Sequence, residues 1–144
     1  MVLVDTSIWS LALRRRSVDL GPRDQKHVAV LTNLITEGNA ALIGIIRQEI
    51  LSGIRDPKVF KALRARLNDL PYLHTGPTEH DLAADFYNQC AAKGIVASAV
   101  DMLICASAAS HQTSVFTTDT DFARYAKCLP IGLFKHPSVG SGSE

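Results

Sequence analysis

Four acidic residues stand where an apolar run gives way to a helical pattern. Asp5 follows Val2-Leu3-Val4, and Glu49 follows Ala41-Leu42-Ile43-Gly44-Ile45. Asp101 opens Met102-Leu103-Ile104-Cys105-Ala106, and Asp119 follows Val115-Phe116-Thr117-Thr118. In a parallel α/β sheet such positions share one edge, where strands end, helices begin and ligands bind. Two carboxylates about 5 Å apart repel by roughly 3 kcal/mol at an effective dielectric near 20. Several of them in one cleft therefore require a cation or a proton. Oxygen-only ligands select a hard ion, so magnesium or manganese is the expected cofactor, and no carbonyl-rich loop argues for calcium.

Each acid also has a purely structural reading. Asp5 after a strand can satisfy the free amides of the next helix, and Asp101 with Ser98 matches a capping box. Asp119 and Asp121 can form a turn ahead of Phe122. Glu49 resists that treatment: three and four residues after Ile46 and Ile45, it falls on a partly apolar helix face where an unpaired carboxylate is costly. The coincidence of all four favours a shared site.

The elements that must position these acids alternate along the chain. A strand at 2–4 leads into a helix with Ile8, Trp9, Leu11 and Leu13, which the Arg14-Arg15-Arg16 run ends. A second helix after Gly21-Pro22 carries Val28, Leu31, Leu34 and Ile35 and stops near Gly38-Asn39. A strand from Ala40 to Gly44 feeds a helix through Leu51, and Asp56-Pro57 starts another with Val59, Phe60, Leu63 and Leu67 on one face. A brief strand is expected at 72–74. Thr78 to Asp81 reads as a capping box opening a helix that stops at Lys93-Gly94, and Ser98 to Asp101 repeats the signature. A strand at 114–117, a short helix from Asp121 through Tyr125 and a strand at 131–134 complete the pattern. Such alternation implies an α/β fold with a parallel sheet and crossovers.

A length of 144 residues, 47% of them hydrophobic and 20% charged, suits one soluble domain over residues 1–136, with a disordered tail at 137–144. A net charge of +1 gives no global attraction to nucleic acid, so any basic surface must be local. Cys90, Cys105 and Cys128 show no zinc spacing and read as buried reduced thiols. His27, His74, His80, His111 and His136 show no metal spacing and receive no role. The run from Met1 straight into a strand-like stretch lacks the basic region and apolar core of a signal peptide, so none is expected, and no apolar stretch approaches the roughly 20 residues of a membrane span. A cytoplasmic location is expected.

The segments Val-Leu-Val-Asp-Thr-Ser, Ile-Arg-Gln-Glu-Ile-Leu-Ser-Gly, Val-Asp-Met-Leu-Ile-Cys-Ala-Ser-Ala and Phe-Thr-Thr-Asp-Thr-Asp-Phe, in that order, resemble the PIN-domain ribonucleases, especially VapC toxins. The resemblance covers almost the whole chain. It implies a three-layer α/β/α sandwich around a parallel sheet of about four or five strands. It makes Asp5, Glu49, Asp101 and Asp119 the active-site acids, with Asp5, Asp101 and Asp119 as metal ligands. Glu49 remains open between ligand and general base, and Asp121 competes with Asp119 for the fourth acidic position. Thr6, Ser7 and Thr117 become supporting hydroxyl residues able to donate hydrogen bonds to carboxylate or phosphate.

The activity so implied is metal-dependent endoribonuclease cleavage of transfer or ribosomal RNA, leaving a 5′ phosphate and a 3′ hydroxyl. The implied partners are a VapB-like antitoxin and a second copy in a homodimer. Divalent cations would neutralise and orient the attacking and leaving oxygens. Arg14, Arg15 and Arg16 are candidate RNA-phosphate contacts, equally readable as a solvated helix end. Two other readings compete. One is a phosphohydrolase or receiver-like domain using Asp5, which lacks the expected second acid two residues on and a Lys after a late strand. The other is a non-catalytic PIN-like binding module, for which four uncompensated acids are unnecessary.

Overall fold

In the computed structural model, which describes residues 1–13 and 19–136, the first strand, β1 (Val2–Val4), is buried at all three positions. A strand apolar on both faces belongs inside a covered parallel sheet. β1 accordingly lies between β2 (Ala40–Ala41) and β3 (Ser114–Phe116), both parallel to it, in the order β2-β1-β3. Val2 faces Ala40 and Ser114, Leu3 faces Ala41 and Val115, and Val4 faces Phe116.

The sheet has fewer full strands than expected. The strands expected at 72–74 and 131–134 are single parallel bridges, Leu42 with Tyr72 and Val115 with Leu133. The strand expected from Ala40 to Gly44 also stops early, because Gly44 already opens a helix. Leu42 thus has one residue left before the chain turns, too little for a longer ladder with 72–74.

Helices cover this sheet in the α/β/α arrangement: α1 (Thr6–Leu13), α2 (Pro22–Thr36), α3 (Gly44–Leu51), α4 (Pro57–Asn68), α5 (Pro77–Ala92), α6 (Ala99–Ser110) and α7 (Asp121–Tyr125). Proline at the first helical position starts α2, α4 and α5, where its missing N–H costs nothing. Gly38 and Gly94, at φ +73° and +74°, turn the chain out of α2 and α5. α5 starts one residue before the expected box at Thr78. Pro77 presets the first turn, Gly76 becomes the cap, and Glu79 Oε1 accepts from Gly76 N at 2.8 Å. Glu79 Oε2 accepts from Ser110 Oγ at 2.7 Å, which ties α5 to the end of α6.

The core gathers Leu3, Val4, Ile8, Trp9, Leu31, Ile43, Ile46, Met102, Phe116 and Phe122 around β1. Cys90 and Cys105 are buried as expected, while Cys128 is only half-buried. No helix of the described residues is long and apolar enough to cross a membrane. The Arg14–Arg16 run, with its helix-ending and RNA-contact readings, and the tail 137–144 lie outside the described residues.

Candidate active site

Asp5 is the first residue past β1, and its N–H continues the sheet by donating to Phe116 O at 2.9 Å. Its carbonyl accepts from Ile8 and Trp9, so the residue opens α1 as the local pattern requires. The side chain does more than cap. Oδ2 accepts from Ser7 Oγ and from Thr117 Oγ1, both at 2.8 Å, against a long 3.4 Å approach of Ser7 N. Only 7% of Asp5 is exposed. A buried carboxylate supplied with two hydroxyl donors is held in a single orientation.

Those hydroxyls connect the ends of two adjacent strands. Thr118 N donates to Ser7 Oγ at 3.0 Å, and Asp119 N donates to Thr117 Oγ1 at 3.0 Å. The chain of bonds runs from the Asp119 backbone through Thr117 to Asp5, and from Thr118 through Ser7 to the same oxygen. Thr6 reaches the other way: its Oγ1 donates to Glu49 Oε1 at 2.8 Å, joining α1 to α3.

Asp101 lies in the first turn of α6, with its N–H on Ser98 Oγ at 3.0 Å as the capping pattern predicts. Its carboxylate Oδ2 accepts from Tyr125 OH at 2.8 Å, which fixes it against α7. Burial holds the Asp101 carboxyl above its ordinary pKa, against the Tyr125 hydrogen bond, and the nearby charges of Asp119 and Asp5 push the same way. Burial and the Asp101 hydrogen bond together push the Tyr125 phenol well up, so it stays a donor.

Asp119 Oδ1 accepts from Asp121 N at 2.9 Å, a local turn that brings two carboxylates side by side. Asp121 Oδ1 takes Arg124 Nη2 at 2.6 Å. The structure brings one oxygen each of Asp101, Asp119 and Asp121 to within 4.8 Å of one another. Asp5 and Glu49 fall outside that trio: Asp5 shares Thr117 with the Asp119 backbone and its charge acts on Asp101, whereas Glu49, among the site hydroxyls, is tied to Thr6. Oxygens bound to magnesium at about 2.1 Å lie at most about 4.2 Å apart, so a slight contraction would suit a hard divalent cation. Burial chiefly raises the Asp101 pKa, and the repulsion from Asp119 and Asp5 that adds to it is what such a cation would relieve.

Sequence reasoning missed a basic recess at the start of α2. Arg23, Lys26 and His27 of α2 line a cavity of about 400 Å³ with Pro22 and His136. The His27 ring meets Phe116 edge-on at 5.9 Å and His136 at 5.5 Å, and Phe116 immediately precedes Thr117. Burial, with His136 beside it, holds the His27 pKa below its ordinary value, opposed by Asp24. The spacing of Arg23, Lys26 and His27 on one helix face was a readable signal. The approach of His136 from the far end of the chain was not.

Known proteins share this arrangement at the level of the fold. FitAcB from Neisseria gonorrhoeae is similar over 94% of this chain and 97% of its own, at 23% identity and a TM-score of 0.68. VapBC2 from Rickettsia felis, solved with a DNA fragment from the promoter, is similar over 95% and 100%, at 17% identity and a TM-score of 0.71. A toxin-antitoxin complex from Klebsiella pneumoniae is similar over 85% and 91%, at 18% identity and a TM-score of 0.66. Among curated proteins, none matches the chain. Residues 2–127 match the family described as PIN domain, a span running from β1 past α7 that contains every acid of the cluster. The chain is a member of the PIN domain family.

Proposed function

We propose that this protein is a metal-dependent endoribonuclease acting in the cytoplasm as the toxin of a VapBC-type pair. The observation that carries the reading is the convergence of Asp101, Asp119 and Asp121, with Asp5 oriented beside them by Ser7 and Thr117. Membership of the PIN domain family supports nuclease chemistry, and similar structures that are themselves toxin-antitoxin complexes support an antitoxin partner.

Asp5, Asp101 and Asp119 would hold magnesium or manganese, with Asp121 adjacent and Glu49 as outer ligand or general base. A divalent cation bound there supplies charge neutralisation for the phosphodiester and its developing oxyanions. Tyr125 keeps Asp101 pointed into the cluster, and Thr117 fixes Asp5 relative to the Asp119 turn. Arg23, Lys26 and His136 would bind backbone phosphates flanking the scissile one. An apolar hollow of about 420 Å³, lined by Ile45, Tyr87, Met102 and Leu103, lies next to Asp101 in sequence and would seat an apolar segment of the antitoxin.

The direct test incubates the purified protein with total RNA in magnesium or manganese and then with chelator. The expected result is cleavage of a few RNAs that chelator abolishes. RNA left intact in manganese, or cut equally in chelator, overturns the reading.

A second expectation concerns the basic recess. The double variant Arg23→Ala/Lys26→Ala should raise KM for RNA about 10-fold, leave kcat within about 2-fold and flatten the salt dependence by about two phosphate contacts. An unchanged salt slope would remove the recess from the RNA path.

A further inference from the structure

Cys90 lies near the end of α5 and Cys128 three residues past α7, yet their sulfurs stand 3.5 Å apart. That is contact between two reduced thiols, and closure to a disulfide of about 2.05 Å needs a movement of roughly 1.5 Å. The two thiols differ in access: Cys90 has no exposed surface, whereas Cys128 is half-buried. Cys128 Sγ also donates to Tyr125 O at 3.6 Å, so this thiol rests against the residue whose hydroxyl holds Asp101.

We propose that Cys90 and Cys128 form a thiol modification site, a dithiol that small disulfides of the glutathione class convert reversibly into an internal disulfide. Cys128, the accessible partner, loses its proton to solvent and attacks one sulfur of the external disulfide. A mixed disulfide forms on Cys128 and one external thiolate leaves. Cys90 then gives up its proton and attacks Cys128 Sγ, which forms the internal bond and expels the second external thiol. Two protein thiols and one external disulfide thus become one protein disulfide and two external thiols. Burial and the neighbouring Cys128 push the Cys90 thiol up to about 11, which makes the second step the slow one.

The bond would close a loop spanning a sequence separation of 38 residues, and that loop carries α6, β3 and α7. Asp101, Asp119 and Asp121 all lie within it. Oxidation would therefore brace the frame of the acidic cluster against α5, whether or not those acids hold a metal.

The test treats the native full chain with oxidised glutathione, blocks remaining thiols, digests it and maps the linkages by mass spectrometry. The expected product is a Cys90–Cys128 cross-linked peptide lacking two hydrogens, which dithiothreitol reverses. Thermal unfolding of the oxidised protein should shift up by about 5–10 °C and return on reduction. Cys105→Ser should behave as wild type, and Cys90→Ser should stop at a glutathione adduct on Cys128 with no upward shift. A lasting glutathione adduct on wild-type Cys128, a bond to Cys105 or a bond between two chains would each overturn the proposal. The measurement needs no RNA, so its failure is separate from failure of the nuclease reading.

Discussion

Asp101→Asn is expected to lower RNA cleavage by about 10³-fold, equivalent to about 4 kcal/mol of barrier, while the fold persists. Asn keeps an oxygen that can accept from Tyr125 OH and leaves the backbone N–H bond to Ser98 Oγ in place, but it removes the charge on the cluster. The same substitution should make the metal-free protein more stable at neutral pH. Burial, Asp119 and Asp5 hold the Asp101 carboxyl above its ordinary pKa of 3.8, so its ionised form opposes folding. That penalty is complete above the raised pKa, shrinks as pH falls through it and is gone below the unfolded value. Metal-free wild type should accordingly close the stability gap to Asp101→Asn as the solution is acidified from neutrality. Comparing the two proteins isolates Asp101 from Glu79, whose lowered pKa acts with the opposite sign in both. Manganese should stabilise wild type by mass action and leave the variant almost unmoved. Equal cutting of RNA by both proteins would reveal a contaminant and take Asp101 out of the chemistry.

The parts of this molecule that were legible in the sequence are those with local causes. The switch from Val2-Leu3-Val4 to the α1 pattern marks Asp5, and Ser98 marks the start of α6 and hence Asp101, because strand ends and helix caps are written within a few residues. The α2, α4 and α7 boundaries follow from Pro22, Asp56-Pro57 and Asp121 for the same reason. Pairing is different. Whether 72–74 becomes a strand depends on how much partner strand is free, and Leu42 leaves room for one bridge, while 131–134 meets the edge strand β3 only where Leu133 pairs with Val115. The start of α5 shows two local signals in competition, with Pro77 displacing the box at Thr78. Within the acidic cluster, the sequence left Asp119 and Asp121 as alternatives, and the turn closed by Asp121 N on Asp119 Oδ1 sets both beside Asp101. The His27–His136 and Cys90–Cys128 contacts join distant segments, and nothing local announces them.

Trp9→Ala is expected to destabilise the protein by about 3–5 kcal/mol, lowering the thermal midpoint by roughly 10 °C or more. Trp9 is 2% exposed and belongs to the core cluster around β1, and α1, which carries it, packs on α2 and α3. Truncation there enlarges a cavity of about 200 Å³ that Trp9 already lines together with Ala12, Leu31, Leu63 and Leu67 of three helices. Trp9 also reaches the site, because its indole Nε1 donates to Val4 O at 3.0 Å and Val4 is the residue before Asp5. Trp9→Phe separates the two effects. It keeps most of the packing and removes the hydrogen bond, at a cost of about 1 kcal/mol. If the indole does position the end of β1, Trp9→Phe should lower kcat more than its stability loss explains, with KM for RNA unchanged. Asp101→Asn trades activity for stability, whereas Trp9 substitutions should lose both, and that opposition of signs distinguishes a charge kept for chemistry from a side chain that holds the chemistry in place. A Trp9→Ala protein within about 1 kcal/mol of wild type would contradict the packing of α1 against β1 on which the position of Asp5 depends.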